Sequence, residues 1–180
     1  MQLDEVATWK PFVPVNGDPI DLSFLDAHSI TYIHREEGKE DIEYTFFVTY
    51  SFHCFAKNYS HLTDTERSAL MYHAPKDSRP FCYNRYNLAR RYLRPIIENL
   101  HTAAVVHAGY GSYAATEVIT ETGERAWYYV PFKVYRERKK YRLHVTSAYL
   151  INEAPGNAKV GFFKIAYNLR MGRKLPSRKR

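Results

Sequence analysis

The stretch Tyr141-Arg142-Leu143-His144-Val145-Thr146-Ser147-Ala148-Tyr149-Leu150-Ile151 decides the fold. Its side chains alternate between two chemistries. Tyr141, Leu143, Val145, Ser147, Tyr149 and Ile151 share one side, and Arg142, His144, Thr146, Ala148 and Leu150 share the other. Successive residues of a strand point to opposite faces, so one side can enter a core while the other stays polar. Working outward, residues 42–55 alternate in the same way. Ile42, Tyr44, Phe46, Val48, Tyr50, Phe52 and Cys54 form an apolar side, and Thr45, Thr49, Ser51 and His53 a polar one. Residues 126–134 set Tyr128, Val130, Phe132 and Val134 against Trp127, Tyr129 and Lys133.

Further strands are expected at 29–34, 103–107 and 113–120. Turn signals lie between them at 35–41, 109–111, 121–124 and 136–140. The last four strands read as an antiparallel meander. Pro131 lacks an amide proton and marks a free or bulged segment. Thr63-Asp64-Thr65-Glu66 is a capping box that opens a short helix to about residue 73, followed by a loop to residue 80. Leu88, Tyr92, Ile96 and Leu100 at helical spacing predict a main helix over about 84–100, which Pro95 should kink or divide. Residues 160–171 suit a closing helix, with a strand as the alternative. The fold class is therefore α+β. An antiparallel sheet of five or more strands carries the main helix on one face. Phe46, Val48, Tyr128, Val130, Phe132, Leu143 and Val145 are expected in the core.

A length of 180 residues fits a single domain. Residues 1–28, with Pro11, Pro14 and Pro19, form an extended N-terminal arm packed through Trp9, Phe12 and Phe24. The net charge is +7, but Arg170, Arg173, Lys174, Arg178, Lys179 and Arg180 make a basic C-terminal tail over 170–180. Removing those six cations leaves only +1, which argues against a general DNA coat. Cys54 and Cys82 show no metal spacing, and the acidic N-terminus does not resemble a secretory signal. Reduced thiols in a cytoplasmic protein are expected, with no membrane partner, since the longest apolar run is too short and too polar to span a bilayer.

If the main helix covers the apolar side of the sheet, the opposite side collects Ser51, His53, Trp127, Tyr129, Lys133, Arg142, His144 and Thr146. Metal-independent RNA cleavage needs such groups. One imidazole, His53 or His144, removes the 2′-hydroxyl proton, and a protonated group supports the leaving oxygen. Arg142 stabilises the charge that builds on phosphorus. Trp127 and Tyr129 stack bases, and Lys133 and Thr146 are further RNA-binding candidates. His107, beside a glycine-rich turn, is a further candidate base. No spacing suggests a metal or a cofactor.

The helices followed by a meander ending Leu143-His144-Val145-Thr146-Ser147-Ala148-Tyr149 resemble the barnase–EndoU–colicin–RelE group of small RNases. Ser147-Ala148-Tyr149 is similar to the serine or threonine, alanine and tyrosine that close some phage-associated members. This resemblance implies a metal-independent endoribonuclease toxin held by an antitoxin. It also implies that Ser147 contacts RNA, although parity turns Ser147 inward. Ser51-Phe52-His53-Cys54-Phe55 with Arg85-Tyr86 is similar to prophage-encoded stationary-phase or heat-shock adaptation proteins. Two functions follow as expectations. One is an endoribonuclease-like toxin of a bacterial or phage defence system. The other is a non-catalytic phage or bacterial inhibitor that binds a host protein or nucleoprotein complex.

Overall fold

A seven-stranded sheet organises the computed structural model, which describes residues 5–109, 112–121, 123–156 and 158–177. Its strands are β1 (His28–His34), β2 (Ile42–Tyr50), β5 (Ala104–Gly109), β6 (Ser112–Glu121), β7 (Glu124–Glu137), β8 (Lys140–Val145) and β9 (Tyr149–Ile151). The order across the sheet is β1-β2-β8-β7-β6-β5, and β9 lies on the same side of β7 as β8 does. The chain is α+β as its patterning implies, and β5 to β8 form the expected antiparallel meander.

The sheet is not antiparallel throughout. β2 runs parallel to β8, with Phe46 beside Tyr141 and Tyr50 beside Val145. Alternation specifies which side of a strand is apolar and is blind to the direction of its neighbour. The β1–β2 hairpin is distant in sequence from β8, and it docks with its second strand against the meander edge.

The expected helix over 84–100 is three short pieces in succession. They are α2 (Tyr83–Leu88), a π-helical segment (Ala89–Leu93) and α3 (Arg94–Glu98). The π turn widens the helix just ahead of Pro95. That proline falls in the first turn of α3, where an amide proton is dispensable. The run still buries Leu88, Ala89, Leu93, Ile96 and Ile97. It packs on the apolar side of the sheet, with the Tyr92 and Tyr128 rings 6.0 Å apart. All seven residues expected in the core are buried.

Helix α4 (Phe162–Arg170) shows residues 160–171 to be largely helical. Its position reveals the curl of the sheet. Val160 donates to the Val105 carbonyl on β5 at 2.9 Å, yet the Phe162 ring lies 4.6 Å from Tyr32 on β1. Two residues of chain span only about 7 Å. The opposite edges of the sheet therefore bend toward each other around Phe162.

The capping box forms as read. Thr63 Oγ1 accepts from the Glu66 amide, and Glu66 returns to the Thr63 amide at the start of α1 (Asp64–Ala69). Beyond it the chain forms a hairpin, β3 (Met71–His73) and β4 (Ser78–Pro80), where the sequence suggests continued helix and loop. The proline-rich arm packs here, with Trp9 against Phe55 at 5.2 Å and Phe12 stacked on Phe81 at 4.2 Å. In the basic tail, Arg170 lies over Tyr44 and Arg173 over Tyr167. Arg178, Lys179 and Arg180 lie outside the described residues, as do parts of the turns at 109–111 and 121–124.

Candidate binding face of the sheet

The side of the sheet away from the helices is assembled in rows by cross-strand register, because paired residues share a face. Phe47, Arg142 and Tyr135 form one row, and Thr49, His144 and Lys133 the next. Further along β7, Tyr129 pairs with Tyr149 on one side and Thr116 on the other, and Trp127 with Ile151 and Val118. One half of this outer face is thus polar and charged, and the other is aromatic and aliphatic.

The irregular segment 146–148 joins the two halves. Phe132 pairs with Val145 and Tyr129 with Tyr149, so two residues of β7 oppose three of the partner. The extra residue is a β-bulge, and it shifts the phase of alternation by one. Pro131 lies opposite it, and its carbonyl accepts both the Thr146 amide at 2.9 Å and Thr146 Oγ1 at 3.1 Å. Strict parity across 141–151 fails here. Leu150 turns to the core side beside Tyr128, and Tyr149 turns outward beside Tyr129, with ring centroids 5.6 Å apart. The expected site did not include Tyr149. Pro131, which signals interrupted pairing, is the sequence feature that pointed to the bulge.

The structure disperses the catalytic candidates. β2 ends at Tyr50, and Phe52–Cys54 form a 3₁₀ turn, so His53 is not on the sheet face. Its ring lies against Phe52 at 4.3 Å. Burial, then the guanidiniums of Arg79 and Arg85, push its imidazole below the ordinary histidine value. His144 does face outward but is 3% exposed, with Nδ1 2.9 Å from Thr49 Oγ1. Arg142 is ion-paired to Glu137 at 2.8 Å and to Glu5 at 3.2 Å. Ser147 Oγ donates to the His53 carbonyl at 3.4 Å, and Thr146 is bound to Pro131 as above. His53 and His144 therefore have different neighbours, and the polar groups expected to act on RNA mostly bind other parts of the protein.

Trp127, Tyr129 and Lys133 lie on the outer face as expected and are partly exposed. Burial, then the neighbouring Tyr149, raises the Tyr129 hydroxyl above its ordinary value, so the Tyr129 phenol is neutral at physiological pH. Val118 is 36% exposed, and Tyr149 and Ile151 are partly exposed. The Arg85 guanidinium caps the Tyr149 ring at 5.4 Å while donating to the His53 and Ala56 carbonyls. Among the described residues, no group of three or more His, Cys, Asp or Glu is placed to hold a metal ion. None of the described helices is long and apolar enough to cross a membrane.

The chain matches the YjaZ family over residues 11–170. It is 56% identical over 172 residues to "Protein YjaZ" of Escherichia coli (strain K12), covering 96% of each chain. No solved structure matches. The match over essentially the whole chain overturns the resemblance to the barnase–EndoU–colicin–RelE RNases and to prophage adaptation proteins. Three common residues at a strand end carried the first resemblance. In the structure those residues span the bulge at 146–148 and the start of β9.

Proposed function

We propose that this protein, which belongs to the YjaZ family, is a non-catalytic binding protein that holds single-stranded RNA on the outer face of β6, β7 and β9. The observation that carries this reading is the bulge-built aromatic strip, with Trp127, Tyr129 and Tyr149 side by side on one sheet face. Unpaired bases stack on such rings whatever their identity. Arg125 at one end and Lys133 at the other supply cations along the same strand. The different settings of the two histidines support binding without cleavage. General acid–base cleavage needs both proton-transfer groups within reach of one phosphate. His53 sits in its 3₁₀ turn, and His144 is buried against Thr49. A cytoplasmic location is part of the proposal, supported by two buried cysteines that form no disulfide.

Fluorescence anisotropy with a labelled oligouridine tests the reading. Trp127→Ala, Tyr129→Ala and Tyr149→Ala should each weaken binding by about 1–3 kcal/mol, the usual cost of losing one stacking platform. RNA recovered after incubation should be intact on a denaturing gel. Cleavage that His53→Ala abolishes would restore the endoribonuclease reading. Absence of RNA binding, with loss of a bacterial protein partner from the Trp127→Ala variant, would reassign the face to an antitoxin or host protein.

A further inference from the structure

The charged half of the outer face holds a carboxylate that the N-terminal arm delivers. Glu5 lies above β2, β8 and β7 and is reached from all three. Thr49 Oγ1 donates to Glu5 Oε1 at 3.3 Å, and Arg142 Nη2 lies 3.2 Å from Glu5 Oε2. The Tyr135 hydroxyl donates to the same Oε1. The Glu5 and Arg142 side chains are each only 19% exposed. Arg142 is held in place by Phe47, whose ring centre is 4.6 Å from the guanidinium, and by the more exposed Glu137. Three donors from three strands thus converge on one oxyanion. A guanidinium fork donates to phosphate oxygens as readily as to carboxylate oxygens.

The tether is short. Trp9 is buried and its amide donates to Asp26 at 2.7 Å, while the Ala7 carbonyl accepts from Ala27 at 2.8 Å. Glu5 can therefore leave the sheet by movement of itself and the half-buried Val6, without unpacking Trp9. Of the vacated donors, Tyr135 lies on β7 and shares the outer face with Tyr129, Pro131 and Lys133 at about 7 Å intervals, while Arg142 pairs with Tyr135 from β8 and Thr49 stands on β2. The site therefore continues the aromatic strip along β7 and across to its two neighbours.

We infer that Arg142, Thr49 and Tyr135 form a phosphate site that Glu5 fills in cis, and that a backbone phosphate of bound single-stranded RNA displaces the arm. The inference rests on the RNA reading of the outer face and adds its regulation: the arm competes with the ligand.

The test is anisotropy of a labelled 12-residue oligouridine over a salt series with the full-length chain, its E5Q and R142Q variants and the E5Q/R142Q pair. Inorganic phosphate serves as a competitor in a parallel arm. E5Q should bind about tenfold tighter, the value of one charge-assisted hydrogen bond. Its log–log salt slope should steepen by about 0.7, the value of one added phosphate contact on a single strand. R142Q should erase both changes in the pair. Competition by inorganic phosphate at E5Q only would identify a site for a free phosphate group, and indifference to it would point to the RNA backbone. Thermal melts confirm that each variant is folded. Wild-type affinity and slope in E5Q, while Trp127→Ala still weakens binding, would overturn this inference and leave the RNA reading intact. RNA binding by neither the wild type nor E5Q would overturn both.

Discussion

Tyr32 joins three layers of the molecule, and its replacement measures how firmly they are held. It is 2% exposed on β1. Its hydroxyl donates to the Ile97 carbonyl at 2.5 Å, near the end of α3. Its ring meets Phe46 at 6.0 Å and Phe162 of α4 at 4.6 Å. Tyr32→Phe removes only the hydroxyl. The Ile97 carbonyl also receives the Leu100 amide at 3.4 Å, so it is not stranded. The expected loss is about 1 kcal/mol, the net worth of a neutral hydrogen bond. Tyr32→Ala also empties the space between β1, α3 and α4 and should cost about 3–5 kcal/mol. Urea denaturation followed by circular dichroism reads both values. The slope m should stay constant, because the surface exposed on unfolding is nearly unchanged. At this chain length each kcal/mol should lower Tm by about 2–4 °C. A Tyr32→Phe variant as stable as the wild type, with Tyr32→Ala costing less than about 2 kcal/mol, would refute the claim that this ring ties the helices to the sheet edge.

Two further perturbations probe the places where sheet regularity ends. The His53 imidazole is held below its ordinary value by burial, Arg79 and Arg85. As pH falls through about 6.5 the unfolded chain therefore gains a proton that the folded one resists. Its contribution to stability is complete above that pH and is lost as pH falls toward the folded value. His53→Gln should flatten the decline of Tm between about pH 7 and pH 5, and an identical pH slope in the variant would refute the assignment. Deleting Ser147 leaves two residues opposite two, so a regular ladder keeps Tyr149 outward and Leu150 inward without the bulge. It should cost only about 1 kcal/mol, the net worth of the hydrogen bond from Ser147 Oγ to the His53 carbonyl. A deletion variant that loses more than about 3 kcal/mol in urea would mean that β9 cannot pair in register without the extra residue.

Faces, caps and breaks were legible along the chain because each depends on neighbours a few residues apart. Phe46, Val48, Val130, Phe132, Leu143 and Val145 are buried because period-two alternation is itself a statement about which side is apolar. The Thr63–Glu66 box closes within one helical turn. Pro131 announced interrupted pairing because a missing amide proton needs no tertiary context. Tertiary structure alone decided the rest. The parallel contact of β2 with β8 joins segments about a hundred residues apart, and local patterning carries no strand direction. The bulge moved Tyr149 beside Tyr129 by one unpaired residue, which alternation counted straight through. Tyr50 ended β2 before His53 could join the sheet face. Glu5 reached Arg142 across the fold from an arm whose own sequence names no partner for its acids. A side chain's face is a local property, but its neighbours on that face are chosen by packing between distant segments.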